Sequence, residues 1–223
     1  LDNSEGESSV YMSKGKIIKE NEFNENNYRG LEINAMKTIS AYYVSASDNG
    51  DTGAYFTNKD GSGSLSVKML TRGAVSEFNN NTEWGLYAAS RGTINLYNIN
   101  ANSNGSAGAL LNNCIFDGEN CLGDGRVYVK ASRAVNEFSG NQLYGLYIAS
   151  SGYVYLYDIE ANSNGYGGLY VKNQYDGVND SVTMKSSKYH TNSFSANGWQ
   201  NPMDVYSVEV ISNGTVNLKA GDV

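Results

Sequence analysis

Ala101-Asn102-Ser103-Asn104-Gly105 recurs as Ala161-Asn162-Ser163-Asn164-Gly165. Following the second Asn of this stretch along the chain gives Asn26, Asn49, Asn81, Asn104, Asn141, Asn164 and Asn197, separated by 23, 32, 23, 37, 23 and 33 residues. A fixed interval therefore alternates with a longer, variable one. Three residues before each Asn stand Phe23, Ala46, Phe78, Ala101, Phe138, Ala161 and Phe194, Phe and Ala in strict alternation. Four residues after the first six stand Gly30, Gly53, Gly85, Gly108, Gly145 and Gly168. A period of this length marks a solenoid, in which each unit buries its apolar side only against its neighbours.

The segments between the markers read as strands. After Gly145, Leu146 and Ile148 alternate with Tyr147, and Val154 and Leu156 alternate with Tyr155 and Tyr157. The preceding 23-residue unit carries Leu86, Ala88, Ile94 and Leu96 at the same places, across an Arg91-Gly92 turn. This is the period-two pattern of half-buried strands, and no sustained 3.6-residue stripe competes with it. Such a unit holds about three short strands; stacked at roughly 4.8 Å, each strand pairs with its counterparts above and below. Alternating Phe and Ala suits a core in which large and small side chains interdigitate between levels. Each inward Leu, Ile, Val or Phe contributes roughly 1.5–3 kcal/mol. The Asn column is read as structural: its amides hydrogen-bond along the stack, and Asn tolerates a left-handed turn.

The Phe-x-x-Asn and Ala-x-x-Asn turns, followed by Gly-Leu-Tyr-x-x-Ser, cover nearly the whole chain. In this it resembles the right-handed parallel β-helix proteins, the pectate-lyase-like architecture that also builds bacterial surface repeat proteins. The resemblance implies an all-β fold of about seven rungs, short ones of 23 residues alternating with long ones of 32–39. Residues 1–223 are expected to form one such domain that starts and ends mid-rung, as a mature or excised fragment of a longer chain or assembly.

Composition narrows the function classes. Charged residues make up 17%, the net charge is −7, and 30 Asn and 25 Gly form a quarter of the chain. An acidic chain without a basic run argues against nucleic acid as a partner. No apolar run approaches the length of a membrane-spanning helix, so no membrane insertion is expected. Cys114 and Cys121 sit seven apart within one loop; a disulfide between them implies an oxidising, extracellular or cell-surface location. Zinc is disfavoured because His190 is the single histidine.

The long units differ from the short ones by loops after the first strand: Thr57–Ser64, Asn112–Arg126 and Asn173–Asp180. They recur every second level and are expected to project from one side, about 9–10 Å apart. Asp117, Glu119 and Asp124 on the middle loop offer oxygens of the kind Ca2+ takes, although ordinary turn chemistry accounts for Asp in Gly-rich loops as well. No other cofactor is expected.

Two tyrosine columns are the candidate ligand-binding residues. Tyr42, Tyr97 and Tyr157 share one outward position on alternate levels; Tyr55, Tyr87, Tyr147 and Tyr170 share another on the first strand. Exposed aromatics with a polar tip suit sugar stacking or a protein partner, while the plain reading is cross-strand packing. For catalysis, the related lyases set acidic Ca2+ ligands beside a basic residue. Arg72, Arg133 and Lys188 follow the loops, but no compact Asp-Asp or Asp/His motif falls on the strands, and no catalytic residue is assigned. The sequence thus points to a non-enzymatic structural or adhesive rod, with itself (end to end) or a polysaccharide as partner; a polysaccharide lyase or hydrolase is the alternative.

Overall fold

What fixes the architecture is that, among the described residues, successive layers hydrogen-bond to one another at their corners as well as along their strands. The computed structural model describes residues 1–13, 21–71, 73–116, 121–123, 125–173, 180–198 and 207–218. Among these there is no helix, and the strands form three all-parallel sheets, compatible with a parallel β-helix or solenoid. Sheet A stacks Asp2–Asn3, Leu31–Ala35, Ala54–Asn58, Leu86–Ser90, Ala109–Asn112, Tyr144–Ala149, Gly167–Asn173 and Val208–Ser212. Sheet B stacks Val10–Met12, Ile39–Tyr42, Leu65–Lys68, Ile94–Tyr97, Val127–Lys130, Val154–Tyr157, Val182–Lys185 and Val216–Leu218. Sheet C is made of two-residue strands: Asn21–Glu22, Val44–Ser45, Ser76–Glu77, Ile99–Asn100, Asn136–Glu137 and Ile159–Glu160.

One core runs between the sheets. Leu31, Ala54, Leu86, Ala109, Leu146 and Leu169 follow one another in register on sheet A, all buried. Phe78 and Phe138 alternate with Ala46, Ala101 and Ala161 behind sheet C, each fully buried. Large beside small at successive levels lets the layers close to the β spacing without voids.

The Asn column is continuous. From Asn26 to Asn164, each ladder Asn donates both its backbone N–H and its Nδ2–H to Oδ1 of the next, at 2.9–3.1 Å. Asn81, Asn141 and Asn197 also reach back to the carbonyls of Ala46, Ala101 and Ala161. The left-handed residue of this turn is not the ladder Asn but the residue before it: Glu25, Asp48, Asn80, Ser103, Gly140, Ser163 and Ala196 all have φ between 54° and 70°. The Asn side chain is there for its amide, and its neighbour takes the backbone strain.

Two positions before the ladder runs a second column of Asn and Ser. Its side-chain oxygens accept the next layer's backbone N–H: Ser47 to Asn24, Asn79 to Ser47, Asn102 to Asn79, Ser139 to Asn102, Asn162 to Ser139 and Ser195 to Asn162, at 2.7–3.1 Å. The two columns donate in opposite directions along the stack.

The Asn-x-x-x-Gly spacing has a steric cause. A Cβ on Gly30, Gly53, Gly85, Gly108, Gly145 or Gly168 would lie 2.6–2.8 Å from Nδ2 of the next ladder Asn and 2.6–2.9 Å from the next layer's backbone oxygen. Only glycine leaves room for the amide above it.

The long layers carry two insertions, not one. Besides the A-to-B loops, the B-to-C corner widens to 69–75, 131–135 and 186–192, where the intervening layers turn on the single residues Tyr43, Asn98 and Asp158. These three are left-handed as well, with φ of 52–56°. Asn98 donates to Met69 O at 2.9 Å and accepts from Ser132 N at 2.8 Å, tying the wide corners on either side. Asp158 accepts from Ser187 N at 2.6 Å.

Asn104→Ala removes the acceptor of Asn81 N–H and Nδ2–H inside the stack and is expected to cost roughly 2–4 kcal/mol. Gly108→Ala forces a methyl between Gly145 O and the Asn141 amide and is expected to cost about 2–3 kcal/mol. Urea denaturation of both variants measures this; a loss under about 0.5 kcal/mol in either would show that the column carries no such burden.

Candidate functional site

The register of sheet B sets the composition of its outer face. Tyr42 pairs with Lys68, Lys68 with Tyr97, Tyr97 with Lys130, and Tyr157 with Lys185; the register of the intervening strands puts Lys130 level with Tyr157. The column that the sequence shows as tyrosines on alternate levels is thus a strict Tyr/Lys alternation. Two residues earlier on the same strands, Tyr128 and Tyr155 stand in register beside it.

These side chains border a shallow depression of about 410 Å3 lined by Tyr97, Tyr128, Lys130, Ala131, Tyr155 and Tyr157. Lys130 Nζ lies 4.2 Å from the Tyr128 ring centre and 5.8 Å from that of Tyr155. Lys185 Nζ approaches the Tyr155 ring at 5.6 Å. Tyr155 and Tyr157 lie 6.3 Å apart and within 10° of parallel, while Tyr128 tilts against Tyr155 at 6.3 Å. Arg126 donates to the Tyr128 hydroxyl at 3.3 Å. Cation–π contacts of this kind are worth about 0.5–1 kcal/mol at exposed sites. They hold the ammonium groups against the ring faces, so the depression offers both to a ligand.

Sheet A places Tyr55, Tyr87, Tyr147 and Tyr170 in one column, as expected, but on a different face. The column reads Glu32, Tyr55, Tyr87, Leu110, Tyr147, Tyr170, Glu209. Tyr55 stacks on Tyr87 at 4.5 Å and 5°, and Tyr147 on Tyr170 at 4.7 Å and 20°. Arg29 covers Tyr55 at 4.2 Å and pairs with Glu32 and Asp51; Trp84 leans on Tyr87 at 5.3 Å. Within each pair the rings occupy one another's faces.

The two candidate columns therefore do not form one site. Tyr97 and Tyr157 meet in the sheet B depression; Tyr42 is on the same column two levels from Tyr97. Lys68, Lys130, Lys185 and Tyr128 escape a reading that follows only the 23-residue units, while Tyr155, on such a unit, reads as outward without being picked out as part of a site. Aligning the long units on their inward Leu65, Val127 and Val182 would have found the lysines.

Cys114 and Cys121 are disulfide-bonded, with Cα atoms 4.9 Å apart. Asp117, Glu119 and Asp124, the candidate Ca2+ ligands, lie outside the described residues, as does Arg72. Among the described residues no group of three or more His, Cys, Asp or Glu is placed to hold a metal ion. Arg133, Lys188 and His190 sit on the B-to-C corners, away from the strands. Comparisons of the chain with protein-family models, characterised proteins and solved structures found no match.

Burial raises the phenol pKa of Tyr87, with Tyr55 adding to it, and raises those of Tyr144, Tyr147, Tyr155 and Tyr170. A group whose folded pKa lies above its unfolded value favours the folded state in its protonated form, and that contribution is lost as pH rises. Stability is therefore expected to hold up to the ordinary tyrosine value of 10.0 and to fall above it. A UV-monitored phenolate titration should show a late-ionising set that Tyr87→Phe and Tyr147→Phe diminish; uniform ionisation at the free-tyrosine value would refute this.

Proposed function

We propose that this chain is an extracellular, non-enzymatic right-handed β-helix of about seven rungs, a structural and adhesive rod that binds polysaccharide along the outer face of sheet B. The observation that carries the reading is the depression lined by Tyr97, Tyr128, Tyr155, Tyr157 and Lys130. Tyrosine presents a rigid apolar face for the C–H side of a pyranose and a hydroxyl for its polar edge. Lys130 and Lys185 add N–H donors at its border. The parallel stack supplies rigidity, because strand-borne side chains are held more firmly than loop-borne ones. The Cys114–Cys121 disulfide agrees with an oxidising location. The repeated Phe-x-x-Asn and Gly-Leu-Tyr turns support the right-handed β-helix assignment by their likeness to that architecture.

Replacing Tyr97 and Tyr157 together by alanine should leave the fold intact, since both rings are outside the core, and should weaken glycan retention roughly tenfold or more, as two aromatic contacts of about 0.5–1.5 kcal/mol each would. A glycan array followed by affinity chromatography on the best binder measures it. Equal retention of wild type and variant, or no glycan retained by the wild type, would sink the reading.

A further inference from the structure

Sheet C carries an outward column complementary to the lysines of sheet B. In register along it stand Glu22, Ser45, Glu77, Asn100, Glu137 and Glu160. Glu22, Glu77 and Glu137 fall on alternate levels. Lys68, Lys130 and Lys185 also fall on alternate levels, of the same parity: Lys68 shares a level with Glu77, and Lys130 with Glu137. Both columns thus repeat every two layers, roughly 9–10 Å.

Among the described residues neither column is neutralised. Among the described residues, the two ion pairs both belong to Arg29, and none involves these lysines or glutamates. Glu137 and Glu160 stand directly opposite each other on neighbouring strands, an arrangement that costs stability when both are charged. The lysine column is moreover a line of like charge on a chain whose net charge is −7.

We infer that the lysine column of one copy docks against the glutamate column of a second copy, so that these solenoids associate side by side. With axes parallel, a stagger of two levels sets Lys68, Lys130 and Lys185 opposite Glu22, Glu77 and Glu137, three pairs at a shared spacing. Tyr97 and Tyr157, between the lysines, become the apolar filling of the contact. Complementary charge at matched spacing selects register and partner as much as it adds affinity. The contact joins two different faces, so one copy of a pair keeps a free glutamate column and the other a free lysine column, and association can continue beyond two copies. The inference rests on the charge columns and not on carbohydrate binding. A copy packed in this way has its sheet B face covered, so the two roles exclude each other on that face.

Sedimentation of the full chain across a concentration series at low and high salt tests it. The expected result is concentration-dependent association that weakens with salt as the charges are screened. Lys68→Glu/Lys130→Glu/Lys185→Glu and Glu22→Lys/Glu77→Lys/Glu137→Lys should each associate at least tenfold more weakly, and an equal mixture of the two should recover association, because each then offers the other's missing charge. A wild type monomeric throughout, a lysine variant that associates as wild type does, or a mixture of folded variants that stays monomeric would overturn the inference. If either variant fails to fold by circular dichroism, carbodiimide coupling of isotopically labelled and unlabelled wild type decides: inter-chain Lys–Glu links between the two columns support the docking, and their absence ends it.

Discussion

The structure depends on the side-chain amide that closes one turn and at once satisfies the next. A ladder Asn receives two hydrogen bonds on Oδ1 from the layer before and donates from its own N–H and Nδ2–H to the layer after. Aspartate accepts but cannot donate from its side chain, and a stack of carboxylates would be a stack of like charges; serine has one donor and a shorter reach. The amide alone does both at the β spacing. Its demands propagate outward. The residue before it must go left-handed, the residue four after it must lack a Cβ, and the residue two before it must offer an oxygen to the N–H of the layer after. One constraint thus accounts for the recurring pattern from the Asn/Ser column to the Gly.

A second constraint makes the true repeat two layers and not one. Phe lies behind sheet C on one level and Ala on the next. The Phe levels carry the wide B-to-C corners, while the Ala levels turn on a single left-handed residue. Asn98 shows how the two kinds of level lock together, its side chain bonded to a wide corner below and another above. Charge follows the same alternation. Lysine closes the sheet B strand on the Phe78, Phe138 and Phe194 levels and tyrosine on the Ala levels, and glutamate on sheet C keeps to the Phe levels with Glu160 as an exception. The outer chemistry is therefore printed at the period set by the core.

The layered core was legible in the sequence because it depends on spacing: Leu86, Ala88, Ile94 and Leu96 are buried where the period-two pattern puts them. The ladder was legible because its members recur at a fixed distance from Phe or Ala. What escaped was of three kinds. The left-handed residue has no fixed identity, being Glu, Asp, Asn, Ser, Gly or Ala, so composition gives no cue to it. The second insertion hides because both insertions change the same interval, and a length difference does not say where the extra residues go. The lysines hide because pairing between long and short units is set by register, which the variable loops conceal from a linear count. The candidate site suffered most: Tyr97 and Tyr157 could be named, and Tyr128 and the lysines beside them could not.

The two tyrosine faces look alike in sequence and differ in what they can offer. On sheet A the rings occupy adjacent levels, and at 4.5–4.7 Å each covers its neighbour; the energy of those faces is already committed to the sheet, with Arg29 and Trp84 closing one end of the column. On sheet B, lysine separates the column tyrosines, so their rings are too far apart to stack on one another along the column. What lies beside them is a flexible cation whose long stem moves at little cost. A ligand arriving at sheet A would have to break ring stacking, whereas one arriving at sheet B has only to displace an ammonium group from a ring face, at about 0.5–1 kcal/mol, or, if anionic, to use it. The proposed recognition, whether of a sugar or of another copy, is therefore assigned to the face where tyrosine is spaced and not to the face where it is most abundant.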